Sequence, residues 1–370
     1  MSGEAGDAPG LDPAFDRAPL RRSGWGRRSP GPSSGAPGGD RGGATYAALD
    51  LGTNNCRLLV ARPSGDSFRV VDAFSRIIRL GEGVSVSGRI SAAAIERAIA
   101  ALAICRNKMR NRGVTRARLI ATEACRAAEN GEQFRDLVAD ELGLDLEVID
   151  RETEATLAAT GCTPLIDPQA EGVVLFDIGG GSSELVRLAR VQPAAGGPPL
   201  PRIAGWTSLP HGVVTLAERH GGHSVSRDTY EAMVCEVAEA VTPFARLHGG
   251  TDGIHMLGTS GTVTTIAGVH LDLKRYDRNR VDGCWMSGAE IDAVVERLLA
   301  MDYEARVASP CIGAERADLV LAGCAILEAI RRAFPCPRLR VADRGLREGM
   351  LVQMMREDGV WGGGRPAAAP

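Results

Sequence analysis

The sequence predicts an α/β protein in which two related domains, each a mixed sheet flanked by helices, face each other across a cleft. Two segments, residues 46–60 and 173–186, share one layout: an apolar strand ends on an aspartate, a polar turn containing glycine follows, and a second apolar strand returns. This repeat indicates an internally duplicated fold. The length of 370 residues and the hydrophobic share of 44% suffice for one large or two medium domains.

The remaining elements follow from apolar periodicity and capping signals. Ser91 caps a helix with one apolar face that Gly113 ends, and Asn130 caps a second amphipathic helix. Ser287 and Glu290 form a capping box for a later helix. Further predicted elements are strands at 68–74, 118–121, 146–149 and 339–341, a third strand-to-glycine turn at 255–262, and a buried helix at 315–334.

Composition limits the classes of function. With a formal net charge of −3, the chain does not bind polyanions through bulk charge, so any basic surface must be local. The 9 cysteines include no C-x-x-C pair, which argues against a zinc ribbon and indicates a thiol-reduced, cytoplasmic protein. No apolar run is long enough for a membrane span. We therefore expect neither a membrane partner nor a specific nucleic-acid partner.

The N-terminal segment, residues 1–43, is rich in Gly, Pro, Ser and Arg and contains few core-forming residues. Such a composition cannot bury enough apolar surface to offset chain entropy, so we predict a disordered basic tail. The tail is either an electrostatic tether for an anionic polymer or a solvated extension, and we favour the solvated extension.

The polar turns of the two strand–turn–strand units suit an anionic ligand. Glycine lets main-chain N–H groups approach a phosphate, and hydroxyl or amide side chains add further donors. A single such turn would be read as an ordinary tight hairpin, but the second copy favours two loops that grip phosphates from both sides. The predicted phosphate-binding residues in these loops are Thr53, Asn54, Asn55, Gly180, Gly181, Ser182 and Ser183.

Acidic residues bracket the second turn, where Asp177 precedes the glycines and Glu184 follows the serines. Neither carboxylate would tolerate a phosphate directly, and a divalent cation between them and the phosphate removes the conflict. Mg²⁺, or Mn²⁺ in its place, is the natural candidate because such ions are held by one or two carboxylates together with phosphate oxygens. Asp50 occupies the position of Asp177 in the first unit and completes the predicted metal set.

Several motifs together resemble the exopolyphosphatase and guanosine pentaphosphate phosphohydrolase (Ppx/GppA) family, within the actin-like ATPase superfamily. They are the two strand–turn–strand units, the segment ATEACRAAEN at 121–130, the acidic segment at 150–157 and the ending Asp-Arg-Gly at 343–345. The resemblance runs from about residue 45 to 355. It implies a duplicated actin-like (ribonuclease H-like) fold in the short, two-domain form of the family.

The same resemblance implies the domain bounds. We expect an N-terminal domain at 44–168, a C-terminal domain at 169–345, and a closing helix at 346–358 that packs at the domain junction. Residues 359–370 are expected to be frayed.

The resemblance also implies two catalytic groups. Arg126 matches the arginine that the family places on substrate phosphate, and a planar guanidinium suits phosphoryl oxygens. The alternative for Arg126 is a salt bridge to Glu123 or Glu129.

By register, Glu154 matches the general base that activates water. Thr153 and Thr156 depart from the family pattern, so Glu152 remains an alternative base. A third possibility is that Glu154 has no catalytic role and only stabilises the N-terminus of a helix through the helix dipole.

The third strand-to-glycine turn leads into a helix, and in the wider superfamily this position approaches the nucleotide or the distal phosphate. Gly258 and Ser260 are therefore predicted to bind phosphate. Residues 274–280 are basic and form either a local patch for an anion or a solvated charge run.

The resemblance implies hydrolysis of terminal orthophosphate from inorganic polyphosphate. The alternatives are the 5′-phosphohydrolase reaction on guanosine pentaphosphate (pppGpp) and a non-catalytic sensor of an alarmone or nucleotide. Polyphosphate or pppGpp is the expected ligand, and a homodimer is a possible assembly.

Overall fold

The computed structural model describes residues 43–191, 200–250 and 252–361. The predicted disordered tail therefore lies outside the described residues, except for Gly43. Within the described residues, no helix combines the length and the apolar character that crossing a bilayer requires.

A five-stranded mixed sheet forms the N-terminal part, in the order β3-β2-β1-β4-β5. The first three strands are antiparallel neighbours, and β4 and β5 run parallel to β1. The elements are β1 (Tyr46–Leu51), β2 (Asn55–Ser64), β3 (Ser67–Ile77), α1 (Val84–Ser87), α2 (Ala92–Asn111), β4 (Arg116–Ala121), α3 (Glu123–Ala127), α4 (Gly131–Leu142), β5 (Glu147–Val148) and α5 (Arg151–Cys162).

A six-stranded mixed sheet forms the C-terminal part, in the order β10-β11-β9-β6-β7-β8. The elements are β6 (Gly172–Ile178), β7 (Ser183–Val191), β8 (Leu200–Leu209), α6 (Val213–His220), α7 (Arg227–His248), β9 (Ile254–Thr259), α8 (Gly261–His270), α9 (Arg278–Val281), β10 (Trp285–Ser287), α10 (Gly288–Leu299), α11 (Tyr303–Ala308), α12 (Val320–Ala333), β11 (Arg338–Ala342) and α13 (Leu346–Glu357).

The two sheets repeat one topology. In each, three antiparallel strands are followed by a parallel strand on the other side of the first strand. Even the turns match, since Gly52 N donates to Asn55 O at 2.8 Å and Gly179 N donates to Ser182 O at 2.9 Å. This duplication confirms the predicted fold class, an α/β actin-like fold with mixed sheets flanked by helices.

The helix α13 lies where the closing helix is predicted and joins the two parts. Its buried residues Met350, Leu351 and Met354 pack in one cluster with Tyr46 of β1. Contact with α5 is so close that a Cβ placed on Gly349 would lie 2.0 Å from the carbonyl oxygen of Leu157. Only glycine permits this approach of two helix backbones.

We expect Gly349→Ala to lower the free energy of unfolding by roughly 1–3 kcal/mol, the usual range for overpacking a filled interior. The added methyl group meets backbone, which cannot rotate away as a side chain can. Chemical denaturation of both proteins measures the effect. Gly250→Ala is the control, because a Cβ there has no atom within 4 Å. An unchanged midpoint for Gly349→Ala would show that α5 and α13 separate easily.

Three residues of the expected frayed end, 359–361, lie within the described part of the chain. Val360 and Trp361 are partly buried against the cluster around Tyr46, and Trp361 Nε1 donates to the carbonyl oxygen of Ser67 at 3.2 Å. Residues 362–370 lie outside the described part, so the fraying of this end stays a prediction.

Candidate active site

The turns after β1 and β6 meet at the junction of the two sheets. A Cβ placed on Gly180 would lie 2.9 Å from Cβ of Thr53 and 3.2 Å from the backbone nitrogen of Asn54. A Cβ on Gly181 would lie 3.0 Å from Oγ1 of Thr53. Any larger residue at these positions would push the turns apart, so the glycines let two loops distant in sequence form one surface.

A cavity of about 950 Å³ opens above this surface and contains residues from both halves of the chain. We call it the cleft. Most of the sequence-predicted site residues line it, which means that folding brings together groups spread over more than 200 positions. The predicted residues that line the cleft are Asp50, Thr53, Asn54, Asn55, Glu154, Asp177, Gly180, Gly181, Ser182, Glu184 and Ser260.

Two predicted phosphate-binding residues lie outside the cleft lining. Ser183 is fully buried, and its hydroxyl donates to the carbonyl oxygen of His211 at 2.7 Å. Gly258 lies under the ring of Phe176, where a Cβ would come within 2.5 Å of the ring. Both residues lie within the strands around the site, and neither lines the cleft.

The aspartates of the two turns are partly buried and lie near each other at the base of the cleft. Burial raises the pKa of Asp177 to about 7, helped by the negative charges of Glu154 and Asp50 and opposed by Arg57. Burial also raises the pKa of Asp50, with Arg57 and Arg347 acting against it. In the described part of the chain, neither aspartate side chain has a hydrogen-bond or ion-pair partner.

Glu184 is held in a fixed orientation at the base of the cleft. Its Oε1 accepts hydrogen bonds from Ser182 Oγ at 2.8 Å and from Ser208 Oγ at 2.9 Å. Burial raises the pKa of Glu184, and the neighbouring charge of Asp177 raises it further. The predicted metal-binding carboxylates thus share one buried, negatively charged region.

Glu154 enters the cleft from the first turn of α5. Asp150 caps this helix, since its Oδ1 accepts from Thr153 N at 2.7 Å. Burial raises the pKa of Glu154, and the charge of Glu184 adds to the effect. Glu152, the alternative base, is exposed and does not line the cleft. The geometry therefore favours Glu154 over Glu152 for the predicted role.

Arg126 lies beside Glu154 and outside the cleft lining. Its Nε and Nη2 donate to Glu123 Oε2 at 3.0 and 2.6 Å, and Nη2 also donates to Glu154 Oε2 at 3.1 Å. Of the two salt-bridge partners left open by the sequence, Glu123 is the one observed. Glu129 pairs with Arg89 instead. In this conformation Arg126 is bound to acids of the site.

The architecture of the cleft can be compared with known proteins. A model of the Ppx/GppA phosphatase family matches residues 59–358, which is more than half of the chain. The chain belongs to the Ppx/GppA phosphatase family. This finding confirms the family that the motifs indicated, and with it the predicted enzyme class, a hydrolase of phosphoric anhydrides.

Individual relatives agree with the family assignment. The chain is 28% identical over 323 residues to Exopolyphosphatase 2 of Mycobacterium tuberculosis, covering 83% of this chain and 98% of the relative. It is 27% identical to the Aquifex aeolicus Ppx/GppA family member, with a TM-score of 0.70 and coverage of 85% and 98%. An exopolyphosphatase from Cytophaga hutchinsonii shares the fold with a TM-score of 0.76 at 23% identity and the same coverage.

The sequence reasoning missed three arginines of this Ppx/GppA cleft. Arg57, Arg316 and Arg347 line it, and across the described ranges none of their guanidinium groups has a hydrogen-bond or ion-pair partner. Arg57 was detectable, because it stands opposite Asp50 in the strand pairing as Glu184 stands opposite Asp177. Arg316 and Arg347 carried no local signal.

The basic segment at residues 274–280 fits both alternatives that the sequence left open, a solvated charge run at one end and a local patch at the cleft at the other. Lys274 is exposed and pairs with Asp272, as expected of a solvated charge run. Tyr276 and Arg278 line the cleft instead. Arg278 also donates to Glu348 at 2.9 Å, so its charge is partly neutralised within the protein.

The residues at the base of the cleft can be tested for their fit to a divalent cation. Within residues 43–191, 200–250 and 252–361, no three His, Cys, Asp or Glu side chains form a group that could hold a metal ion. A preformed three-carboxylate site is therefore not observed. Unpartnered Asp50 and Asp177, with the buried and unbonded amide oxygens of Asn54 and Asn55, do fit an ion that takes its remaining ligands from phosphate and water.

Proposed function

We propose that this Ppx/GppA protein is an exopolyphosphatase that hydrolyses the terminal phosphoanhydride bond of inorganic polyphosphate and releases orthophosphate. The observation that carries the proposal is the pairing of two glycine-containing loops with three unpartnered arginines in one cleft. Guanidinium groups without a protein partner provide countercharge for a polyanion. Similarity to a relative named Exopolyphosphatase 2 supports polyphosphate as the substrate.

The residues have distinct roles in the proposed reaction. Main-chain N–H groups near Gly180 and Gly181, with Thr53 and Ser182, hold the terminal phosphate. Glu154 takes a proton from water while the water oxygen bonds to phosphorus and the bond to the bridging oxygen breaks. The shortened polyphosphate leaves with the bridging oxygen.

The charge of the departing chain is balanced from two sides. Arg57, Arg316 and Arg347 face the phosphates from the walls of the cleft. Asp50 and Asp177, beside Glu184, would hold Mg²⁺ or Mn²⁺, and the ion would supply charge neutralisation to the phosphoryl oxygens. A cytoplasmic location and a homodimer remain predictions from the sequence.

The test is phosphate release measured in parallel on long-chain polyphosphate, pppGpp and ATP, with Mg²⁺ and with excess chelator. We expect the highest kcat/KM on polyphosphate and no release in chelator. A higher kcat/KM on pppGpp than on polyphosphate would show that the protein is a pppGpp phosphohydrolase instead. Binding of a ligand without release of phosphate would instead indicate the non-catalytic sensor. Full activity in excess chelator would show that the reaction needs no divalent cation.

A further inference from the structure

Four charged side chains form a continuous line beside the cleft, in the order Arg151, Glu123, Arg126, Glu154. Glu123 is at its centre, with Oε1 accepting from Arg151 Nη2 at 2.8 Å and Oε2 accepting from Arg126 at 2.6 and 3.0 Å. Arg126 then reaches Glu154 at 3.1 Å. Both oxygens of Glu123 are therefore used to fix arginines on either side.

The hydrogen bonds of Arg126 account for most of its donors. A guanidinium has five N–H donors. Two go to Glu123 and one to Glu154, and Nη1 donates to the carbonyl oxygen of Ile149 at 2.6 Å. Arg126 does not line the cleft, whereas Glu123 and Glu154 do. The guanidinium thus directs four of its five donors to neighbouring groups of the protein, and three of these bonds are to the acids Glu123 and Glu154.

Glu123 is anchored on three elements of the site. It shares a face of α3 with Arg126, three positions along the chain. It bonds Arg151 at the start of α5, the helix that carries Glu154. Its side chain also packs on the second phosphate loop, where a Cβ on Gly181 would lie 3.0 Å from Cγ of Glu123. A shift of Glu123 would move Arg126 relative to both the loop and the base.

Considered by itself, the negative charge of Glu123 would repel an anionic ligand in the cleft. The cleft is proposed to receive a polyanion, and Glu123 adds negative charge to its wall. Its two arginine partners neutralise that charge, so its retained effect is geometric. We propose that Glu123 is a positioning residue, which holds Arg126 against Glu154 and thereby aims the Glu154 carboxylate at the attacking water. This inference rests on the role of Glu154 in the proposed function.

Glu123→Gln should lower kcat by about tenfold, consistent with the loss of one charge-assisted hydrogen bond in a partly buried network. KM for polyphosphate should stay the same or fall, because the substitution leaves the positive charges of Arg126 and Arg151 without the carboxylate that neutralises them. Glu129→Gln is the matched control: it changes a glutamate of the same segment that is exposed and pairs with Arg89 outside the site. Its kcat should equal that of the wild type. A higher KM with unchanged kcat in Glu123→Gln would overturn the proposal.

A double-mutant cycle separates positioning from a general structural role. If Glu123 acts through Arg126, then Glu123→Gln combined with Arg126→Ala should have the kcat of Arg126→Ala alone. Losses that multiply independently would contradict the proposal.

A crystal structure of Glu123→Gln gives a readout that needs no turnover. The guanidinium of Arg126 should turn away from Glu154, and an unmoved guanidinium would refute the inference. Wild-type protein that releases no phosphate from polyphosphate, pppGpp or ATP would refute the proposed function only, and the crystal structure would still decide the position of Arg126.

Discussion

Replacing Glu154 with glutamine should lower kcat on polyphosphate by about 10²–10⁴-fold, the usual contribution of a general base. Glutamine keeps the shape of the side chain but cannot accept a proton from water. KM should stay the same or fall, because the substitution removes a negative charge that lies close to Glu184 and Asp50. Steady-state kinetics on polyphosphate measure both quantities.

Glu152→Gln provides the control for this experiment. Glu152 lies two positions away on the same helix and carries the same charge, but it is exposed and outside the cleft lining. Its substitution should leave kcat near the wild-type value. If Glu152→Gln inactivates the enzyme and Glu154→Gln does not, the register that assigns the base is wrong. If neither matters, the non-catalytic sensor becomes the better interpretation.

Asp177→Asn should lower kcat by roughly 10³-fold or more, at or above the loss expected when one electrostatic stabiliser of a transition state is removed. Asparagine keeps the volume but loses the charge with which Asp177 would hold a divalent cation. The fold should survive, because loss of solvent contact and then the neighbouring charges of Glu154 and Asp50 raise the pKa of Asp177 to about 7, so its charged form is unfavourable in the folded protein. Removing that charge relieves repulsion.

The measurement pairs phosphate release with thermal unfolding. Asp140→Asn, on the exposed face of α4, is the control and should match the wild type in both. A melting temperature of Asp177→Asn equal to or above the wild-type value, with activity lost, fits the proposal. Activity that persists in Asp177→Asn would exclude this carboxylate from the metal site.

Local patterns predicted the two strand–turn–strand units whose turns line the cleft. Each aspartate lies at the end of an apolar strand and is followed by a turn with glycine, and such strands and turns are specified by residues close in sequence. Glu154 was located by its register within the family motif, and the structure adds that Asp150 caps the helix on which it stands. The duplication then followed from comparing two segments of a single chain.

Local patterns failed where a residue's role depends on the face of a strand or on a distant partner. Ser183 and Gly258 stand in segments that resemble anion-binding turns, yet strand pairing directs one to His211 and the other to Phe176. Arg126 has the expected position in the chain, but Glu123 and Ile149 determine where its guanidinium points.

The sequence by itself determined the fold class, the family and the positions of the main acidic and glycine-rich motifs, because strand, turn and helix signals act over a few residues. Only the tertiary structure decided which arginines line the cleft. Arg316 and Arg347 come from segments far from either loop, and packing of α13 against α5 and β1 brings Arg347 to the cleft. Contacts of this kind depend on the burial of whole elements, and no local pattern encodes them.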